Sequence, residues 1–196
     1  MRVPGVIPTI QGTRTCPATA GATNWHSPAY SPDTGWFYVA VMEGCGINYK
    51  SRDTFRPGGV PYMATGYVED PEAPWQTYLR ALDATTGKLL INVEVFRLAS
   101  SVDGHDKNSG ASPTPILEGD RIYVHFGSYG TACVRRDGTV LWRSQELKYS
   151  QVHGPGGSPV LHDNLLIINC DGNDTQFVAA LDKNTGKVMW RTPRPS

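Results

Sequence analysis

Few residues in this 196-residue chain have side chains suited to binding or catalysis: four cysteines, five histidines and a scatter of carboxylates. Asp103, His105 and Asp106 lie together in a glycine-containing polar stretch and carry ligand atoms for a cation. Their spacing matches no zinc or calcium loop, so the stretch reads as a solvated loop and no metal site is assigned. His125 closes an apolar run and His153 opens a His-Gly-Pro-Gly-Gly loop, so either can face a central channel. Neither has a Ser or Asp partner nearby in sequence that would make a nucleophile–base pair, and no catalytic residue is assigned. The spacing of Cys16 and Cys45 leaves a bridge and two buried thiols equally open. Cys133 and Cys170 lie in or beside apolar runs and read as buried free thiols. Asn173-Asp174-Thr175 fits a glycosylation sequon, a short and common match.

The elements that must position these residues are short. The chain has 18 Lys or Arg against 18 Asp or Glu, hence no net charge, which argues against a nucleic-acid or anionic-membrane partner held by bulk charge. Gly (21) and Pro (15) are abundant enough for many turns but not for disorder. No stretch approaches the roughly 20 apolar residues of a membrane span. The opening Met-Arg-Val-Pro-Gly does not read as a signal peptide. Helical periodicity is hard to find, whereas β-branched and aromatic runs bounded by Gly, Pro, Asn and Asp recur at 36–41, 121–126, 131–134, 139–143, 165–169, 177–181 and 187–191.

These runs belong to repeats. Three segments, ALDATTGKLLI, ACVRRDGTVLW and ALDKNTGKVMW, each place a bulky residue four positions after a glycine: Ile91 after Gly87, Trp142 after Gly138, Trp190 after Gly186. The glycines recur roughly every fifty residues, a period typical of propeller blades. Ser27-Pro28, Ser112-Pro113 and Ser158-Pro159 precede them as second landmarks. The first repeat carries about thirty extra residues, within 43–76, expected to emerge as a loop from one face. An Asp or Thr before each glycine can close a tight turn, the glycine supplies positive φ, and Ile91, Trp142 and Trp190 can wedge against the next blade. The resulting division is an irregular segment 1–26, a first blade 27–95 with its insertion 43–76, a linker 96–108, a second blade 109–146 and a third blade 147–196.

The pattern Ala180-Leu181-Asp182-Lys183-Asn184-Thr185-Gly186-Lys187-Val188-Met189-Trp190 resembles the tryptophan-docking repeat of the quinoprotein propellers. Cys16-Pro17, Gly21-Ala22-Thr23-Asn24-Trp25, the run Tyr30 to Val39, Cys45 and the strand Tyr78 to Asp83 extend this over residues 1 to about 90. That half resembles the pyrroloquinoline-quinone-dependent methanol and ethanol dehydrogenases. From about residue 95 onward the chain is more similar to non-dehydrogenase propellers of the same superfamily. The resemblance implies a Cys16–Cys45 disulfide, and so an oxidising, periplasmic or secreted setting. It also implies Asn24 as a hydrogen-bond donor to the quinone, Trp25 as a nearby wall, and pyrroloquinoline quinone with calcium as cofactors. The dehydrogenases it resembles are eight-bladed and carry an adjacent-cysteine disulfide, a catalytic Asp and calcium ligands, which this chain lacks or does not match.

The expected fold is therefore all-β, with about three blades forming a partial ring or an excerpt of an eight-bladed propeller. The expected function is a non-catalytic binding or assembly scaffold. Its contacts would be other blades, further copies of itself, or a protein docking on the 43–76 loop through Phe55, Tyr62, Tyr67 and Trp75. The alternative is a segment of a periplasmic quinone- and calcium-dependent alcohol dehydrogenase with Asn24 at the quinone.

Overall fold

The computed structural model describes residues 5–18, 22–23, 27–52, 58, 65–98, 108, 110–151 and 153–195. Their strands, in chain order, are β1 (Thr13–Thr15), β2 (Ala29–Ser31), β3 (Trp36–Glu43), β4 (Gly46–Lys50), β5 (Thr65–Glu69), β6 (Trp75–Asp83) and β7 (Leu89–Leu98). There follow β8 (Ile116–Glu118), β9 (Arg121–His125), β10 (Thr131–Arg135), β11 (Val140–Ser144), β12 (Val160–His162), β13 (Leu165–Asp171), β14 (Gln176–Asp182) and β15 (Val188–Pro193). The only helical element among the described residues is a single 3-10 turn, Gly127–Tyr129.

Three sheets are four-stranded antiparallel blades in the orders β2-β3-β6-β7, β8-β9-β10-β11 and β12-β13-β14-β15. Each Ser-Pro landmark lies just before the first strand of its blade, and the Ser158 hydroxyl accepts a hydrogen bond from the Thr114 amide at 3.0 Å, tying two of these entries together.

Side chains alternate across each strand, so every blade presents two apolar rows, one per face. On one face the paired residues are Ala29, Tyr38, Ala81 and Ile91 in the first blade, and Ile116, Tyr123, Cys133 and Trp142 in the second. The same row in the third blade is Val160, Ile167, Ala180 and Trp190. The opposite rows are Tyr30, Phe37, Leu82 and Leu89; then Leu117, Ile122, Val134 and Val140; then Leu161, Leu166, Leu181 and Val188. The core consists of two seams. Ile91's row packs on Val134's row in one, and Trp142's row packs on Leu181's row in the other. Phe96 adds an edge-on contact to Phe126 across the first seam, and Tyr149 adds one to Phe177 across the second.

The insertion departs from the expected loop. Gly-Ile-Asn-Tyr-Lys and Thr-Gly-Tyr-Val-Glu pair as β4 and β5, and β1 adds to β4, giving a fourth, three-stranded sheet. The N-terminal segment therefore contains a strand too. The first blade also continues past residue 95, because burying Val95 and Phe96 against the second blade extends β7 to Leu98.

Candidate functional site

The repeat's turn is built by its own side chains. One carboxylate oxygen of Asp182 accepts from the Asn184 amide, the Thr185 amide and the Thr185 hydroxyl, at 3.0, 2.8 and 2.9 Å. Asp83 does the same for Thr85 and Thr86. These donors, led by the Thr185 and Thr86 hydroxyls, hold both carboxyls below their ordinary range. The second-blade turn is one residue shorter, so Cys133, not Ala132, stands opposite the docking residue.

Trp142 docks on the Asp182 turn of the next blade. Gly186 has φ +72°, and a methyl group placed on it would lie 2.5 Å from Cε3 of Trp142, so the glycine is required both by the backbone and by the indole. The indole Nε1 donates to the Lys183 carbonyl at 2.9 Å. The Lys183 ammonium reaches Glu118 at 2.7 Å, and Glu118 also accepts from the Tyr123 hydroxyl at 3.0 Å, an arrangement that holds the Glu118 carboxyl down while burial pushes the Tyr123 phenol up to about 12. Ile91 occupies the equivalent place one seam earlier, with its side chain and that of Val93 against Gly138. Trp190 holds the third such place but is 39% exposed, against 8% for Trp142. A methyl group on Gly87, in the first-blade turn, would meet nothing within 4 Å among the described residues.

The disulfide joins Cys16 to Cys45, with Cα atoms 4.5 Å apart, and ties the end of β1 to the link between β3 and β4. Ala18 and Ala22 hydrogen-bond to Gly44 and Met42 of that same stretch. A cleft of about 440 Å³ opens beside it, lined by Arg14, Glu43, Glu72, Pro74 and Gln76 among others. Two of its charged groups are paired: both Glu43 oxygens accept from Arg80, at 2.6 and 3.0 Å, and Arg14 pairs with the buried Asp70, whose carboxyl this hydrogen bond holds down. Among the described residues no group of His, Cys, Asp or Glu side chains converges to hold a cation. Asn24 and Trp25 lie outside the described residues, as do Asp103, His105, Asp106, Phe55 and Tyr62. Tyr67 is exposed on the edge strand β5. Trp75, expected on the surface, is instead buried, because its indole packs on Gly44, where a methyl group would lie 2.4 Å from the ring.

A second cleft, about 500 Å³, lies between the loop after the second blade and the β13–β14 hairpin, lined by Tyr149, His153, Gly154, Asn169, Asp171 and Gln176 among others. Arg194 pairs with Asp171 at its rim. His125 faces no channel. It is fully buried, its Nδ1 lies 2.8 Å from the Thr131 hydroxyl, and burial lowers its pKa to about 4. Sequence reading missed the His125–Thr131 pair and also Gln151, which donates to Ser128 while packing on Gly127. The polar residues come from different repeats, and no local motif joins them. Cys133 and Cys170 are free and buried, and burial pushes their thiols up to about 11 and about 12.

The sequence profile of the family described as outer membrane protein assembly factor BamB matches residues 18–196. Among solved structures, the chain is similar to a europium-containing methanol dehydrogenase (TM-score 0.52, 23% identity), covering 90% of this chain and 28% of that one. It is also similar to the quinohemoprotein alcohol dehydrogenase ADHIIG from Pseudomonas putida HK5 (TM-score 0.50, 13% identity; 92% and 29% covered). BamB from Moraxella catarrhalis aligns at TM-score 0.45 with 17% identity, over 93% of this chain and 52% of that one. At these identities the first two likenesses establish the fold alone, part of a β-propeller. The chain spans under a third of the length of either dehydrogenase. No curated protein matches it.

Proposed function

The chain belongs to the family described as outer membrane protein assembly factor BamB, and from that premise we propose that it is a non-catalytic scaffold for protein assembly in the bacterial periplasm. The observation that carries the reading is the small sheet. The insertion builds a separate three-stranded surface whose outer strand among the described residues, β5, exposes Tyr67 and Val68, while Val6, Ile7 and Ile10 stand exposed beside β1. An edge strand flanked by exposed apolar side chains is the feature that another polypeptide pairs with by adding a strand. A disulfide fits an oxidising compartment.

The test is hydrogen exchange on the chain with and without an unfolded outer-membrane protein. Protection at 65–69, lost in a Val68→Asp variant that keeps the parent's circular dichroism, supports the scaffold. Unchanged exchange there refutes the docking site.

The second reading, a segment of a quinone-dependent alcohol dehydrogenase, draws on the disulfide and on the motifs before residue 90. In it Asn24 would donate to the quinone and Trp25 would wall the slot. Bound quinone would supply the two-electron oxidant. The described residues provide no cation cradle, so no step is derived through it. Titration with pyrroloquinoline quinone and calcium separates the readings: saturable fluorescence quenching weakened by Asn24→Ala favours the enzyme, and its absence favours the scaffold.

A further inference from the structure

The four cysteines divide by access. Cys133 and Cys170 are fully buried, whereas Cys16 is exposed and Cys45 half-buried, and the latter two both line the cleft of about 440 Å³ beside the small sheet. The residue that a thiol in solvent reaches is therefore Cys16.

The two ends of the disulfide are held unequally. Cys45 lies between two glycines that carry rings: a methyl group on Gly44 would lie 2.4 Å from the indole of the buried Trp75, and one on Gly46 2.2 Å from the ring of Tyr67. The Cys45 carbonyl also accepts from the Asp70 amide at 3.0 Å. Cys16, by contrast, follows β1, whose Thr-Arg-Thr buries none of its side chains. β1 meets β4 over three residue pairs, helped by Asn48 Nδ2 donating to the Thr15 hydroxyl at 2.8 Å and by the exposed Arg14 pairing with Asp70, and Thr9 adds one bridge to Tyr49. Past Cys16 the chain is anchored again, by the buried Ala18 and by the amides of Ala18 and Ala22, which donate to the Gly44 and Met42 carbonyls. A short strand with no buried apolar side chain opens at little cost in free energy, so the covalent bond is what keeps β1 in place against β4.

We propose that the Cys16–Cys45 bond is a thiol–disulfide exchange site, whose reduction by a dithiol releases β1 from the small sheet. One thiolate of the dithiol attacks Sγ of Cys16, forming a mixed disulfide, and the S–S bond breaks with Cys45 leaving as the thiolate. The second thiolate of the dithiol then attacks its own partner sulfur in the mixed disulfide and releases Cys16. The cysteine pair gains two electrons and two protons, and the dithiol loses them. The seams between the blades contain neither cysteine of this pair and stay closed. The proposal stands whether or not a polypeptide docks on the sheet, because it is read on the chain alone.

The experiment treats the native chain with dithiothreitol, caps free thiols with iodoacetamide, maps the adducts by peptide mass spectrometry and follows hydrogen exchange. Adducts are expected on Cys16 and Cys45 alone, with protection lost at 13–15 and kept in the strands of the three blades. With 2-mercaptoethanol in place of the dithiol and iodoacetamide present throughout, the mixed disulfide is expected on Cys16 and the cap on Cys45. The double variant Cys16→Ser, Cys45→Ser is expected to show the same loss of protection at 13–15 with no reductant. A bond that resists dithiothreitol until urea unfolds the chain, native-state adducts that also reach Cys133 and Cys170, a mixed disulfide on Cys45, or unchanged exchange at 13–15 after reduction each overturns the proposal.

Discussion

Trp142 and Trp190 occupy the same position of the same repeat, yet the structure assigns them different energetic weight. Trp142 is 8% exposed, covers Gly186 and donates to the Lys183 carbonyl, whereas the outer face of Trp190 meets solvent. A buried indole removes about 150–250 Å² from water. At about 25 cal/mol per Å² that is about 4–6 kcal/mol before side-chain entropy. Trp142→Ala is therefore expected to cost about 3–5 kcal/mol, within the usual span for deleting a buried aromatic. Trp190→Ala leaves no cavity and forfeits only contacts within its own sheet, about 1 kcal/mol. Urea unfolding followed by circular dichroism, at a concentration where the chain sediments as one species, measures both. Trp142→Phe, which keeps the ring and loses the N–H, should fall between parent and alanine. Equal losses for the two alanine variants, within about 0.5 kcal/mol, would refute the argument that docking across the seam stabilises this fold.

The glycines give a matched pair: Gly186→Ala and Gly87→Ala share the left-handed strain, but only the former meets an indole, so it should cost about 1–3 kcal/mol more by the same assay. Burial lowers the His125 pKa from 6.5 to about 4, so the unfolded chain binds a proton that the folded chain refuses in that window. Stability is then fully present above about pH 6.5 and falls as pH drops, by about 3 kcal/mol near pH 4, and His125→Gln should flatten that slope in unfolding curves taken across the range. Replacing both Cys16 and Cys45 by Ser reopens a closed loop of sequence separation 29 and should lower stability by about 3–4 kcal/mol in denaturant unfolding. Cys133 and Cys170, buried with raised pKa values, should resist a thiol reagent in the native protein and react once urea unfolds it.

The sequence by itself determined what recurs locally. The all-β class, the blade period and the Asp-x-x-Thr-Gly turns were legible because an Asp, a Thr and a Gly within five positions make their hydrogen bonds to one another, wherever the chain goes next. Cys133 and Cys170 could be read as buried because their apolar strands have two covered faces. Tertiary structure decided what depends on partners far apart in the chain. The insertion reads as a loop because five-residue alternations are too short to announce strands, and only β1, from the N-terminal segment, completes their sheet. Trp75 reads as a surface aromatic until Gly44 comes beneath it. His125 reads as open to a channel until the fold buries it beside Thr131 of the neighbouring strand. Trp142 and Trp190 carry the same motif, and a motif records what a side chain can dock on; whether that surface is in place is set by the arrangement of the blades.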